Sequence, residues 1–240
     1  MSTFVLVHGS WHGAWCWERI IPMLEKEGHR VIVFDLPGHG LDYTLNSEIN
    51  LKSYTDRLCA ILEKEIDKVI LVGHSMAGVV ISQTAEYLPH KIEKLVYLSA
   101  FLPESGQTLF DAFGSVDLGP EAPKAVFIDE EQKYIGLRDE EIRSHFFADC
   151  TFDDFTYAKE KLCLEPLIPS ITPVQLTDEK FGSVPRVYIE ALKDRAIPIR
   201  LQRAMYSKVP CERIITIDSD HSPFFSHSEE LTSHLIQLTK

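Results

Sequence analysis

Val69-Ile70-Leu71-Val72-Gly73-His74-Ser75-Met76-Ala77-Gly78 decides the fold. The first four residues are apolar and mostly β-branched, the composition of a short strand buried on both faces. Gly73 to Gly78 then turn the chain into the amphipathic run Val79–Tyr87. A serine on such a strand-to-helix turn projects its hydroxyl above the sheet, and small neighbours let strand and helix approach closely. Ala77 stands where glycine is usual, and Gly78 follows. The Met76 N–H, at the helix start, is placed to face a developing oxyanion.

Outward from this turn the same rhythm repeats. Phe4–Val7, Val31–Phe34, Leu95–Leu98, Val187–Ile189 and Ile214–Ile217 read as further buried strands. Between them Trp15–Glu27, Leu51–Glu65, Met76–Tyr87 and Pro198–Ser207 have helical spacing, and Phe224–Leu238 supplies a last helix. Strand alternating with helix predicts a doubly wound, mostly parallel α/β sheet. Residues 103–181 break the rhythm with clustered charges and prolines (Pro120, Pro123, Pro166, Pro169, Pro173) and no clear buried strand. Their aromatic and leucine content predicts an ordered helical cap inserted into a core of residues 1–102 and 182–240.

Composition narrows the partners. The chain has 240 residues, with Lys+Arg 24 against Asp+Glu 36 for a net charge of −12. Duplex nucleic acid and anionic membranes need positive patches, so a neutral small molecule is the expected partner. Five cysteines, an odd number without a CxxC pair, are neither a disulfide framework nor a zinc-finger pattern. With no basic, apolar leader at Met1–Gly9 and no apolar run of membrane-spanning length, a cytoplasmic protein is expected. Oligomeric state, including a homodimer, is left open by the pattern.

A serine hydroxyl needs a base to become a nucleophile at neutral pH. On this architecture the acid and then the histidine follow the serine in the chain. His221 lies in the loop just after the strand ending at Ile217, at the carboxyl edge where open α/β sheets gather ligands. His145 falls in the cap, and His227 and His234 on the terminal helix. Asp194, just past the strand ending at Ile189, is the preferred acid, with Asp218, Asp220 and Glu190 as alternatives. The loop His8-Gly9-Ser10-Trp11-His12 after the first strand offers the Ser10 N–H as a second oxyanion donor. His8 and His12 precede the serine and read as structural hydrogen-bonders.

The joint order of several blocks resembles the α/β-hydrolase superfamily, in the group of plant methylesterases, hydroxynitrile lyases and their bacterial relatives. These are Val5–Gly9 with His12–Trp15, Gly28–Val31, Asp35–Gly40, Gly73–Ser75, Ala100–Pro103, Phe181–Val184 with Arg186–Ile189, and Asp220-His221. The resemblance implies a catalytic triad of Ser75, Asp194 and His221, oxyanion donors at Ser10 and Met76, and no metal or organic cofactor. It also implies that Phe101 and Gly9 belong to the substrate pocket. A lyase of this group carries Thr where this chain has Gly9 and Lys where it has Ser222; Gly9 matches the esterases, and Ser222 matches neither. The expectation is a serine carboxylic-ester hydrolase acting on small to medium esters through an acyl-enzyme. The alternatives are a hydroxynitrile lyase and a receptor-like binding protein.

Overall fold

The computed structural model describes residues 1–239. Nine strands follow in chain order: β1 Thr3–Val7, β2 Arg30–Val33, β3 Val69–His74, β4 Ile92–Leu98, β5 Val126–Asp129, β6 Tyr134–Leu137, β7 Glu165–Pro166, β8 Arg186–Ala191 and β9 Arg213–Ile217. Six form one sheet in the order β2-β1-β3-β4-β8-β9, and every neighbouring pair is parallel.

Side chains alternate faces along a strand, and here the alternation divides the core in two. Val5, Val7, Leu71, Leu95, Tyr97 and Tyr188 pack on one face, with the helices Leu51–Leu62 and Ala77–Tyr87. Phe4, Leu6, Ile70, Val72, Val96 and Ile189 pack on the other, with Ile20–Lys26 and Ser228–Gln237. Each such buried side chain contributes roughly 1.5–3 kcal/mol, which is why the fully buried stretches Phe4–Val7, Val69–Val72 and Leu95–Leu98 are apolar without interruption.

Two expected helices are divided. Trp15–Glu27 is a 3-10 turn at Ala14–Trp17 followed by a helix that begins only at Ile20. Pro22 explains the delay, since it has no N–H to bond back to Glu18 and is tolerated only in a first turn. The last helix is interrupted at His227, whose φ of −135° is not helical.

The insertion between β4 and β8 is not purely helical. It holds short helices, such as Ile142–Phe146 and Phe152–Lys161, and a three-stranded antiparallel sheet, β5-β6-β7. Strand pairing passed unnoticed in the sequence because β7 is two residues long and β5 faces solvent at Phe127 and Ile128. Neither shows the buried apolar run that marks a core strand.

Candidate active site

The strand order reverses beside β1, and the turns after β1 and β3 flank that switch point, where open α/β sheets bind ligands. Ser75 sits on the β3 turn with φ +55°, a left-handed conformation that costs a non-glycine residue about 1–3 kcal/mol. The surroundings hold it there: its N–H donates to the Leu98 carbonyl at 3.3 Å, and its own carbonyl accepts the Phe101 N–H at 3.0 Å. Gly78 is required, because a Cβ there would lie 2.0 Å from the Phe101 carbonyl oxygen. Ala77 is accommodated, and Gly73 leaves room for its carbonyl, which a Cβ on Gly73 would meet at 2.9 Å.

His221 and Asp194 are joined. His221 Nδ1–H donates to Asp194 Oδ2 at 2.6 Å, both side chains buried. The Asp194 carboxylate also accepts the Ala196 and Ile197 N–H groups, at 2.7 and 2.8 Å, and the Ser99 hydroxyl. The other carboxylates are engaged elsewhere. Glu190 binds Arg203, Tyr206 and Thr216. Asp218 pairs with Lys193. Asp220 accepts the Asp149 and Ser222 N–H groups and the Ser226 hydroxyl; burial pushes its carboxyl up.

Ser75 Oγ has no hydrogen bond to His221 among the described residues; such contacts are often open before substrate binds. Both backbone donors are available: the Ser10 and Met76 N–H groups have no partner among the described residues, and no side chain caps the helix that Met76 opens.

Ser10 and Ser75 line a cavity of about 420 Å³ together with Phe101. Apart from Ser10, Ser75 and Ser170 the wall is apolar, built from residues such as Trp11, Leu109, Phe113 and Phe146. Gly9, expected on the wall, lies beneath it: a Cβ there would meet Ser75 Cβ at 2.7 Å. Among the described residues no group of three or more His, Cys, Asp or Glu is arranged to hold a metal ion.

His8 and His12 are structural by geometry. His8 Nδ1–H donates to the Gly9 carbonyl at 2.9 Å and Nε2 accepts the Leu36 N–H at 3.0 Å. His12 Nδ1–H donates to the Ser10 carbonyl at 2.7 Å, and burial lowers its pKa to about 4. His145 hydrogen-bonds within the insertion, His227 to Ser226, and His234 lies 3.8 Å from Glu230. Two contributors escaped the sequence reading. Ser99, at φ +38°, reaches Asp194 across 95 residues. His74 is buried with Nε2–H donating to the His221 carbonyl at 2.9 Å. Nothing in the sequence marks Ser99; His74, inside the turn motif, was the legible one.

A model of the alpha/beta hydrolase family matches residues 4–233. Methylesterase 9 of Arabidopsis thaliana is 34% identical over 257 residues, covering 99% of this chain and 98% of that protein. A longer chloroplastic protein of the same Arabidopsis methylesterase series is 36% identical over 248 residues; the match covers 99% of this chain and 64% of that protein. The crystal structure of polyneuridine aldehyde esterase superimposes with a TM-score of 0.90 at 25% identity, covering 100% of both chains. With nearly its whole length matched, the chain belongs to the alpha/beta hydrolase family.

Proposed function

We propose that the protein is a serine carboxylic-ester hydrolase in which Ser75 is the nucleophile, His221 the general base and Asp194 its orienting acid. The observation that carries this reading is Ser75 itself, held at φ +55° on the wall of an apolar cavity beside two unpaired backbone N–H groups. Ser75 Oγ attacks the ester carbonyl while His221 Nε2 takes its proton; the same proton then goes to the departing alcohol. Asp194 holds the imidazole with Nδ1 protonated and stabilises the cation formed in this step. The Ser10 and Met76 N–H groups receive the oxyanion, each worth about 3 kcal/mol in the transition state. Water activated by His221 releases the acid and restores Ser75.

The wall carries no charged side chain, which favours an uncharged ester with an apolar acyl or alkyl part, small enough for the cavity. Lyase chemistry is not favoured, because among the described residues no Lys or Arg lines the pocket to receive cyanide, and Ser222 after the base is buried and neutral. The triad residue types are all present, which disfavours a binding-only role. All five cysteines are free, which suits a reducing compartment such as the cytoplasm; among the described residues no helix is long and apolar enough to cross a membrane.

The test is multiple-turnover hydrolysis of short-chain p-nitrophenyl esters beside mandelonitrile cleavage, with wild type and Ser75→Ala. Sustained ester turnover that Ser75→Ala abolishes, without cyanide release, is expected. Cyanide release would move the assignment to the lyase, and product stopping near one equivalent would move it to a receptor.

A further inference from the structure

Glu165 has no accessible surface and is brought into the core by β7 of the insertion. Burying an ionised carboxylate costs several kcal/mol unless donors and a cation surround it. Here its Oε2 accepts the Trp11 backbone N–H at 3.3 Å and His39 Nε2–H at 2.9 Å, and its Oε1 accepts the Tyr54 hydroxyl at 3.2 Å. His39 is equally buried, and its Nδ1 faces the Pro37 carbonyl at 3.2 Å. Both ring nitrogens thus meet acceptors, the arrangement of an imidazolium. Burial opposes that charge, but the adjacent carboxylate outweighs it and raises the His39 pKa.

Trp11 is the residue this pair grips. Its N–H goes to Glu165, its carbonyl accepts the Cys163 N–H at 3.0 Å, and its indole Nε1–H donates to the Ile135 carbonyl at 2.9 Å. All three partners lie in the insertion. Trp11 has φ +63° at the second central position of a turn closed by His12 N–H to the Gly9 carbonyl, 3.4 Å. A turn with a left-handed residue there ordinarily takes glycine, so a tryptophan has to be held by its surroundings. The other central residue of the turn is Ser10.

We propose that Glu165 is a positioning residue: its carboxylate, paired with His39, clamps the Trp11 N–H and thereby fixes the Ser10 amide in the orientation that receives the oxyanion. The proposal rests on the esterase reading for its kinetic consequence, though not for its structural one. An oxyanion donor acts on the transition state far more than on bound substrate, so loosening it lowers kcat and leaves KM. A merely stabilising carboxylate would instead lower only the folded fraction, leaving kcat per folded enzyme at the wild-type value.

Two readouts on the folded, full-length protein test this: hydrogen exchange at the Trp11 amide, which needs no turnover, and kcat and KM on a p-nitrophenyl ester. Glu165→Leu is expected to speed Trp11 exchange about tenfold or more while β3 amides keep their protection. Its kcat falls about 10- to 100-fold, part of the loss for a deleted donor, with KM unchanged. Glu165→Gln retains an acceptor oxygen for Trp11 and recovers most of both. Unchanged Trp11 exchange in Glu165→Leu overturns the clamp, and raised exchange with unchanged kcat overturns its role in catalysis. Should the leucine variant not fold, His39→Gln removes the cation and keeps the carboxylate; faster Trp11 exchange is expected, and an unchanged rate overturns the proposal. An inactive wild type would refute the esterase reading, and the exchange rates would still decide the clamp.

Discussion

Gly9→Ala adds one methyl group at the most crowded point of the site. Its Cβ would lie 2.7 Å from Ser75 Cβ, 3.0 Å from His74 Nδ1 and 3.1 Å from the His74 carbonyl oxygen. Ordinary contact begins at 3.4 Å, so Ser75 must give by about 0.7 Å. None of these atoms is a free side-chain end. Ser75 Cβ is one bond from a left-handed backbone, and the His74 ring is pinned by Nε2–H to the His221 carbonyl at 2.9 Å. The strain therefore reaches the proposed nucleophile and, through His74, the loop of the proposed base. A misplacement of about 1 Å costs on the order of 100-fold in rate, so kcat is expected to fall about 10- to 100-fold. Overpacking should also cost about 1–3 kcal/mol of stability in urea unfolding. Gly28→Ala is the control: its φ is +82° but nothing lies within 4 Å, so it should lose about 1 kcal/mol to backbone strain and keep full kcat. Gly9→Ala with kcat within twofold of wild type and an unchanged urea midpoint would refute the reasoning.

Asp194→Asn should lower kcat by about 10⁴-fold with KM little changed, since an amide can hold the imidazole in the wrong tautomer; steady-state kinetics read this, and a loss under tenfold contradicts the orienting role. Ser99→Ala removes one donor to Asp194 Oδ2, the oxygen that His221 uses, and should cost about 1–2 kcal/mol of stability, read by urea unfolding. Acid should destabilise the fold earlier than carboxylates alone require. Burial lowers His12 to about 4 and His8 and His74 well below the usual value. Each therefore contributes stability in full above the unfolded pKa near 6.5, lost as pH falls toward the folded value, about 3 kcal/mol for His12 alone. His39 has the opposite sign, its contribution complete below 6.5 and lost as pH rises through its raised value, so it offsets only one of the three. Urea midpoints that fall steadily from pH 6.5 to 4.5 are expected; a flat profile contradicts the neutral, buried state of these histidines.

The parallel core was legible because burial on both faces of β1, β3, β4 and β8 forces apolar runs. Ser75 was legible for a related reason: a strand ending in Gly-x-Ser with small residues after it has few other uses. His221 and Asp194 could be ranked only by their place after a strand. The preference for Asp194 over Asp220 rests in the sequence on its place after a strand alone; that Asp220 is occupied by Asp149, Ser222 and Ser226 shows only in the structure. Ser99 and Glu165 were illegible. Each acts through hydrogen bonds to residues more than 90 positions away, and no local pattern encodes such pairs. The small sheet of the insertion escaped for want of any buried strand long enough to show period two.

The insertion is bound to the core on both sides of the proposed site. On the β1 side Glu165 engages His39, Tyr54 and the Trp11 N–H. On the β9 side Asp220, one residue before His221, accepts the Asp149 N–H at 2.9 Å. Both carboxylates are fully buried, and leaving such a group without a donor costs about 1–3 kcal/mol or more. Residues 103–181 therefore mark an excursion of the chain rather than a unit that could be removed while the site stays intact. The turn of the proposed oxyanion donor and the loop of the proposed base are each tied to the same segment, whose apolar side chains also wall the cavity. In the proposed mechanism, the apolar wall and the alignment of the reacting groups consequently depend on one set of contacts. A perturbation that loosens the insertion at either carboxylate should lower kcat before it opens the pocket enough to raise KM.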